Sequence, residues 1–271
     1  MKILVSGAHG CVGSYVREVF AGHNLVLCGR DSWDVTQTMN PIYRELPDVV
    51  LHLAALTDVD YCELHPVDAY RVNAEATANI ANACVKAKAK LAYVSTAGVF
   101  SGGKYLPYVE TDTAVAANVY GAAKLAGEYL SGESLIVRSG WMFGGGSKDR
   151  KFVGRIVEQI LSGKTELKAV DDKVGSPTYA KDLLNVTLRL LEVDARGVFH
   201  ASNSGHATRF DVAEHICSVI APNVRVTAVS SREFPLVAQR SDNESMGHRA
   251  LELLGIPSPR AWQEALTEYI R

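Results

Sequence analysis

A doubly wound parallel α/β sheet with a smaller lobe toward the C-terminus is the fold this sequence predicts. Three observations predict it. Apolar, strand-like runs alternate with helix-like segments through the first half, glycines gather at the first strand-to-helix turn, and 271 residues of 47% hydrophobic composition suffice for one large domain and a small lobe.

The first unit is compact. Lys2 to Ser6 reads as a buried strand, Cys11 to Ala21 as a helix with apolar spacing, and Asn24 to Cys28 as the second strand. Asp48 to Leu53 is another apolar strand, Pro66 to Ala87 a long alanine-rich helix started by its proline, and Lys90 to Ser95 the next strand. A helix over Asn118 to Ser131 and a strand over Ser134 to Arg138 continue the alternation, which is the pattern of a parallel sheet with right-handed crossovers. Beyond Gly144-Gly145-Gly146 the rhythm breaks. Arg150 to Leu161 reads as a helix, Ser176-Pro177-Thr178 as a turn before a helix at Tyr179 to Leu191, and Val198 to Ala201 as a strand returning to the sheet. Amphipathic helices over Thr208 to Val219 and Pro259 to Ile270 complete the chain. The expected division is a dinucleotide-binding (Rossmann) domain from 1–143 and 176–203, with a substrate-binding lobe from 144–175 and 204–271.

Composition excludes several functions. A net charge of -2 with no basic stripe argues against nucleic-acid binding. Five cysteines, at 11, 28, 62, 84 and 217, form no Cys-x-x-Cys pair and no regular spacing, so they suggest reduced thiols rather than a disulfide framework or zinc site. The eight histidines show no metal spacing, and no metal is expected. No run of 18 apolar residues occurs, which leaves no membrane span in view and makes a cytoplasmic location the expectation.

The glycine turn carries the first chemical signal. Gly7, Gly10 and Gly13 follow an apolar strand and precede a helix, where missing side chains let the backbone turn tightly and approach a pyrophosphate held by the helix N-terminus. At the end of the second strand an arginine accommodates the extra phosphate of NADP, whereas an acid binds the ribose hydroxyls of NAD. Cys28-Gly29-Arg30 therefore favours NADP, with NAD kept open by Asp31. Asp34 either accepts from the adenine amino group or caps the next helix.

The second signal is Tyr120 and Lys124. A four-residue spacing on a helix puts phenol and ammonium on one face, where the positive charge is expected to favour the phenolate and make the tyrosine a better proton shuttle. By chance alone 11 tyrosines and 12 lysines in 271 residues give Tyr-x-x-x-Lys about 0.5 times, so the pair needs its company. Thr96 provides some, because it ends the strand Leu91-Ala92-Tyr93-Val94 at the carboxyl edge where ligands of open α/β sheets bind.

Several blocks in order then carry a family likeness: Ala54-Ala55-Leu56-Thr57-Asp58-Val59-Asp60, Ser95-Thr96-Ala97-Gly98-Val99-Phe100, Pro107-Tyr108-Val109-Glu110-Thr111-Asp112, Val119-Tyr120-Gly121-Ala122-Ala123-Lys124, Arg138-Ser139-Gly140-Trp141 and Gly175-Ser176-Pro177-Thr178-Tyr179. Across nearly its whole length the chain resembles the extended short-chain dehydrogenase/reductases, specifically the dTDP-4-dehydrorhamnose reductase family and related nucleotide-sugar 4-ketoreductases. The resemblance implies reduction by NADPH of the C4 ketone of a nucleotide-linked 4-keto-6-deoxy sugar. It implies a catalytic trio of Thr96, Tyr120 and Lys124, and a cofactor lined by Gly7, Gly10, Cys11, Val12, Gly13, Ala54 and Ala55. Thr57, Val59 and Trp141 are expected near the sugar, and a homodimer is expected because relatives often form one.

The departures are as informative. Ala97-Gly98 stands where these reductases have Asp-Tyr, Ala117 where a proline precedes the tyrosine, and Arg240-Ser241 where an Arg-Pro pair is usual. Ala97-Gly98 cannot perform the acid/base chemistry of a 4,6-dehydratase. An epimerase or a non-catalytic regulatory subunit on the same fold remain the alternatives. The cluster Lys148, Arg150 and Lys151 reads as a solvated face, and His9 as no ligand.

Overall fold

A computed structural model describes residues 1–271. Strands β1 (Lys2–Ser6), β2 (Asn24–Cys28), β3 (Val49–His52), β4 (Lys90–Thr96) and β5 (Leu135–Ser139) alternate with helices α1 (Val16–Val19), α2 (Asn40–Glu45), α3 (Val59–Leu64), α4 (Pro66–Tyr70), α5 (Ala76–Ala87) and α6 (Val119–Leu130). Then come β6 (Trp141–Phe143), α7 (Phe152–Leu161), β7 (Glu166–Val170), β8 (Val174–Gly175), β9 (Pro177–Tyr179), α8 (Ala180–Glu192) and β10 (Gly197–His200). The chain closes with β11 (Ala207–Thr208), α9 (Arg209–Ile220), β12 (Arg225–Val229), β13 (Asn243–Glu244), α10 (Arg249–Leu253) and α11 (Trp262–Ile270).

Six strands form one parallel sheet in the order β2-β1-β3-β4-β5-β10. The chain leaves β1 toward one edge and returns beyond it toward the other, which opens a crevice at the carboxyl ends of β1 and β3. Buried on both faces, the strands read as continuous apolar runs. Their alternate side chains still serve different layers. Ile3 and Val5 pack with Leu183 and Leu184 of α8, whereas Leu4 packs with Ile80 and Cys84 of α5 on the opposite side.

A third core lies in the C-terminal half. Val153 and Ile156 of α7, Leu167 and Ala169 of β7, Val212 and Ile216 of α9, and Leu266 of α11 are buried together. The parallel ribbon β7-β12 covers this cluster, and the sequence pattern did not predict it. Each strand is only five residues long and alternates over half-exposed positions, a weak periodic signal, and its partner is distant in the chain.

Two helices differ from expectation. The first is a 3-10 turn over Val12–Tyr15 followed by the single turn of α1, which ends before Phe20, whose ring is completely buried in the core. The second, starting at Pro66, runs to Ala87 but contains a π-helical turn at Arg71–Glu75. Asn73 lies in that turn, and its side chain exchanges hydrogen bonds with the backbone of Leu56 at 2.9 and 3.0 Å. The wider turn thus pins the loop after β3. No helix is long and apolar enough to cross a membrane, and all five cysteines are free thiols.

Candidate active site

A cavity of about 500 Å³ opens at the carboxyl ends of the sheet strands. It runs from the glycine turn, past Thr96, Tyr120 and Lys124, to Trp141, Arg209 and Glu244.

The glycine turn is shaped by close approach. Gly7 has φ +68°, and a Cβ there would fall 2.6 Å from the Ala54 amide nitrogen; at Gly13 a Cβ would fall 2.3 Å from the Ala8 carbonyl oxygen. Any side chain at either position would force the turn away from the sheet. A buried polar chain braces the same corner. Ser6 Oγ lies 2.7 Å from His52 Nδ1, His52 Nε2 lies 3.2 Å from Thr77 Oγ1, and the Ala54 N–H donates to Ser6 Oγ at 3.3 Å. Burial pushes the His52 pKa down to about 3, so this ring is a neutral strut. Gly7, Gly10, Cys11, Val12, Gly13 and Ala55 border the cavity, while Ala54 lies behind them. Cys11 donates to the Gly144 carbonyl at 2.8 Å and Tyr15 accepts from the Gly145 N–H at 3.0 Å, so the triple-glycine loop clasps the turn.

Arg30 and Asp34 stand apart from this cavity, beyond the end of β2. The Arg30 side chain is 89% exposed, with its Nε 3.9 Å from Asp34. Asp34 accepts from the Thr36 hydroxyl at 2.7 Å and its N–H at 3.0 Å, contacts that hold the carboxyl below its usual range. It therefore closes a local turn and caps no helix.

The catalytic candidates come together by a different route. Asn118 caps α6 by accepting from the Gly121 N–H at 2.9 Å. Gly121 has no side chain to hold the helix off, since a Cβ there would fall 2.0 Å from the Gly98 carbonyl oxygen. The first turn of α6 thus lies against the 3-10 turn that follows Thr96. Thr96 accepts from the Gly98 N–H at 3.1 Å, and a Cβ built on Gly98 would meet Thr96 Oγ1 at 3.4 Å and Tyr120 Cε1 at 3.7 Å. Thr96 and Tyr120 therefore flank one bare glycine.

Lys124, one helical turn after Tyr120, donates to the Val94 carbonyl at 2.7 Å and sits 4.0 Å from the Tyr93 ring centroid. Burial dominates the electrostatics of the pair. Tyr120 is pushed up to about 12, chiefly by burial, with Thr96 acting downward and Glu244 upward; Lys124 is not among its perturbing charges. Burial simultaneously pulls Lys124 down to about 7, opposed by Glu128. For both groups desolvation is the largest influence. Tyr120 is consequently a protonated donor at neutral pH.

Thr57 and Val59 line the cavity on the side of α3, and Trp141 lines its far end. The indole is fixed on several sides. Its Nε1 donates to Glu244 Oε2 at 2.9 Å, the Arg209 guanidinium carbon lies 3.8 Å from its ring, and a Cβ on Gly175 would fall 2.2 Å from Cε2. Arg209, Lys173 and Glu244 were not singled out in the sequence, because each arrives from a distant segment with no local motif, and Arg240 was noted only for the serine that follows it. Asn118 was more accessible, since an asparagine just before a predicted helix is an N-cap signal. Of the basic cluster after the glycines only Lys151 borders the cavity. The unusual Ser241 is secured by its own hydroxyl, which donates to the Phe100 carbonyl at 2.6 Å in place of a proline ring. No three His, Cys, Asp or Glu side chains converge to hold a metal ion.

Known proteins are similar to this chain in sequence and fold. The model of the family described as the RmlD substrate binding domain matches residues 1–271. A dTDP-4-dehydrorhamnose reductase of Mycobacterium tuberculosis is 35% identical over 98% of this chain and 91% of its own length. The crystal structure of a dTDP-4-dehydrorhamnose reductase from Clostridium acetobutylicum superimposes with a TM-score of 0.94 at 32% identity, covering 100% of this chain and 98% of the other. A dTDP-4-dehydrorhamnose reductase of Bacillus anthracis, solved in complex with NADP, gives a TM-score of 0.93 at 31% identity, covering 99% of this chain and 98% of the other.

Proposed function

The chain belongs to the RmlD substrate binding domain family, and on that premise we propose that it is an NADPH-dependent reductase of the C4 ketone of a dTDP-linked 4-keto-6-deoxyhexose. One observation carries this reading. Thr96, Tyr120 and Lys124 border a single cavity that is continuous with the glycine turn of a doubly wound sheet.

The residues present fit a nicotinamide dinucleotide. Gly7 and Gly13 leave a backbone cradle that side chains would fill, and the crevice lies at the switch point of the sheet, where such ligands bind. When bound, NADPH supplies the hydride. The protein supplies the proton and the orientation. Tyr120, held protonated by burial, donates its hydroxyl proton to the alkoxide oxygen that forms at C4. Thr96, beside it across Gly98, uses its hydroxyl to polarise the same oxygen. Lys124 spends one N–H on Val94, which leaves its remaining N–H for ribose hydroxyls. Thr57, Val59 and Trp141 form the walls on which the sugar rests, and the exposed guanidinium of Arg30, just past β2, is the charge free to pair with the 2′-phosphate that distinguishes NADP from NAD.

Following NADPH absorbance with dTDP-4-keto-6-deoxyhexoses tests the reading. The native enzyme is expected to oxidise one NADPH per ketosugar. Tyr120→Phe should lower kcat by about 10²–10⁴ while leaving the Kd for NADPH unchanged. Undiminished turnover in that variant would remove Tyr120 from its role; no oxidation by the native enzyme with any such sugar would remove the reductase reading.

A further inference from the structure

Glu244 is the only carboxylate bordering the cavity. Its Oε2 accepts from Trp141, while Oε1 has no hydrogen-bond partner in the protein. Every fully buried side-chain nitrogen or oxygen in the molecule is paired, so this free oxygen is one that opens onto the cavity. Burial raises the Glu244 carboxyl above its usual range, while the Trp141 hydrogen bond, Arg209, Arg240 and Lys173 pull it back down, and none of the three bases forms an ion pair with it. A carboxyl group so placed has an unused acceptor facing the cavity, and a ligand donor is what would complete it.

Its position narrows which donor. Glu244 holds Trp141, which lies two residues beyond Ser139, the register partner of Thr96, and it borders the same cavity as Tyr120, so it stands on the side of the site that serves the C4 oxygen. In a 4-keto-6-deoxyhexose the ketone has two ring neighbours. C5 carries the ring oxygen and a methyl group, neither of which donates, whereas C3 carries a hydroxyl. Gly98 widens the site beside Tyr120, since the nearest atoms to a Cβ there are at ordinary contact distance. Resting on the reductase reading above, we propose that Glu244 determines specificity by accepting a hydrogen bond from the C3 hydroxyl of the sugar. The site thereby selects 4-ketosugars that retain that hydroxyl over those in which it has been removed. Sites built to bond a hydroxyl discriminate strongly against analogues lacking it, because the buried acceptor is then left unpaired.

Calorimetric binding of the dTDP-linked 6-deoxyhexose and its 3-deoxy analogue to the NADP-loaded protein tests this without requiring turnover. The native protein is expected to bind the hydroxylated ligand at least tenfold more tightly. Glu244→Leu should abolish that preference, and Glu244→Gln, which keeps an acceptor for the indole, should reduce it several-fold. A full preference surviving in both variants, or affinity lost by the same factor for both ligands, would overturn the proposal; the second result would make Glu244 only the anchor of Trp141. Should Glu244→Leu not fold, as judged by near-ultraviolet circular dichroism, Glu244→Gln decides by the same criterion. NADPH oxidation by the native enzyme is measured in parallel, and its absence would sink the reductase reading while leaving the binding comparison intact.

Discussion

The Lys124 ammonium rests 4.0 Å from the centre of the Tyr93 ring, a contact between helix α6 and strand β4 that seats a cation beneath the reaction cavity. Tyr93 in turn stacks on His52 with ring centroids 5.6 Å apart, and its hydroxyl donates to the Asn73 carbonyl at 3.2 Å. The lysine is therefore supported by the same buried network that braces the glycine turn.

That seat has a pH signature. Burial holds the folded pKa of Lys124 at about 7 against an ordinary 10.5, so between these values the unfolded chain binds more protons and stability rises with pH. The cost of burying the lysine is at full size below about 7 and vanishes above 10.5. Lys124→Met should therefore gain most in Tm, relative to the native protein, near pH 6.5, with the gap narrowing toward pH 10. Paired thermal melts across that range check the sign, and a gap independent of pH would contradict it.

Two glycines around the catalytic turn should respond oppositely to the same change. Gly121→Ala places a methyl 2.0 Å from the Gly98 carbonyl oxygen and must push α6 from the turn, at a cost of about 1–3 kcal/mol. Gly98→Ala meets nothing closer than 3.4 Å at a backbone that is not left-handed, so it should be neutral or stabilising by up to about 1 kcal/mol. Urea denaturation of both variants measures the contrast. Equal destabilisation would count against a close contact between helix and turn at Gly121.

Arg30 offers a test of cofactor choice. Its guanidinium is exposed, with only a 3.9 Å approach to Asp34, so removing it should cost little stability. Arg30→Ala is expected to raise the KM for NADPH by about tenfold, the worth of one charged contact to phosphate, and to leave the KM for NADH unaltered. Steady-state kinetics with each cofactor decide this, and an equal effect on both would place the 2′-phosphate elsewhere.

How much of this could be read from residues alone depended on the range of the interaction. The alternation of β1, α1 and β2, the glycine turn and the Tyr120–Lys124 spacing are local patterns, and they determined the parallel sheet and the reaction centre because strand burial, tight turns and helical periodicity act over a few residues. Tertiary structure alone brought Glu244 to Trp141, and Arg209 to the same indole, across chain separations that no periodicity reports. It also decided the charge balance. The spacing of Tyr120 and Lys124 was legible, but desolvation depends on everything packed around them, and it drives their pKa values apart to about 12 and about 7.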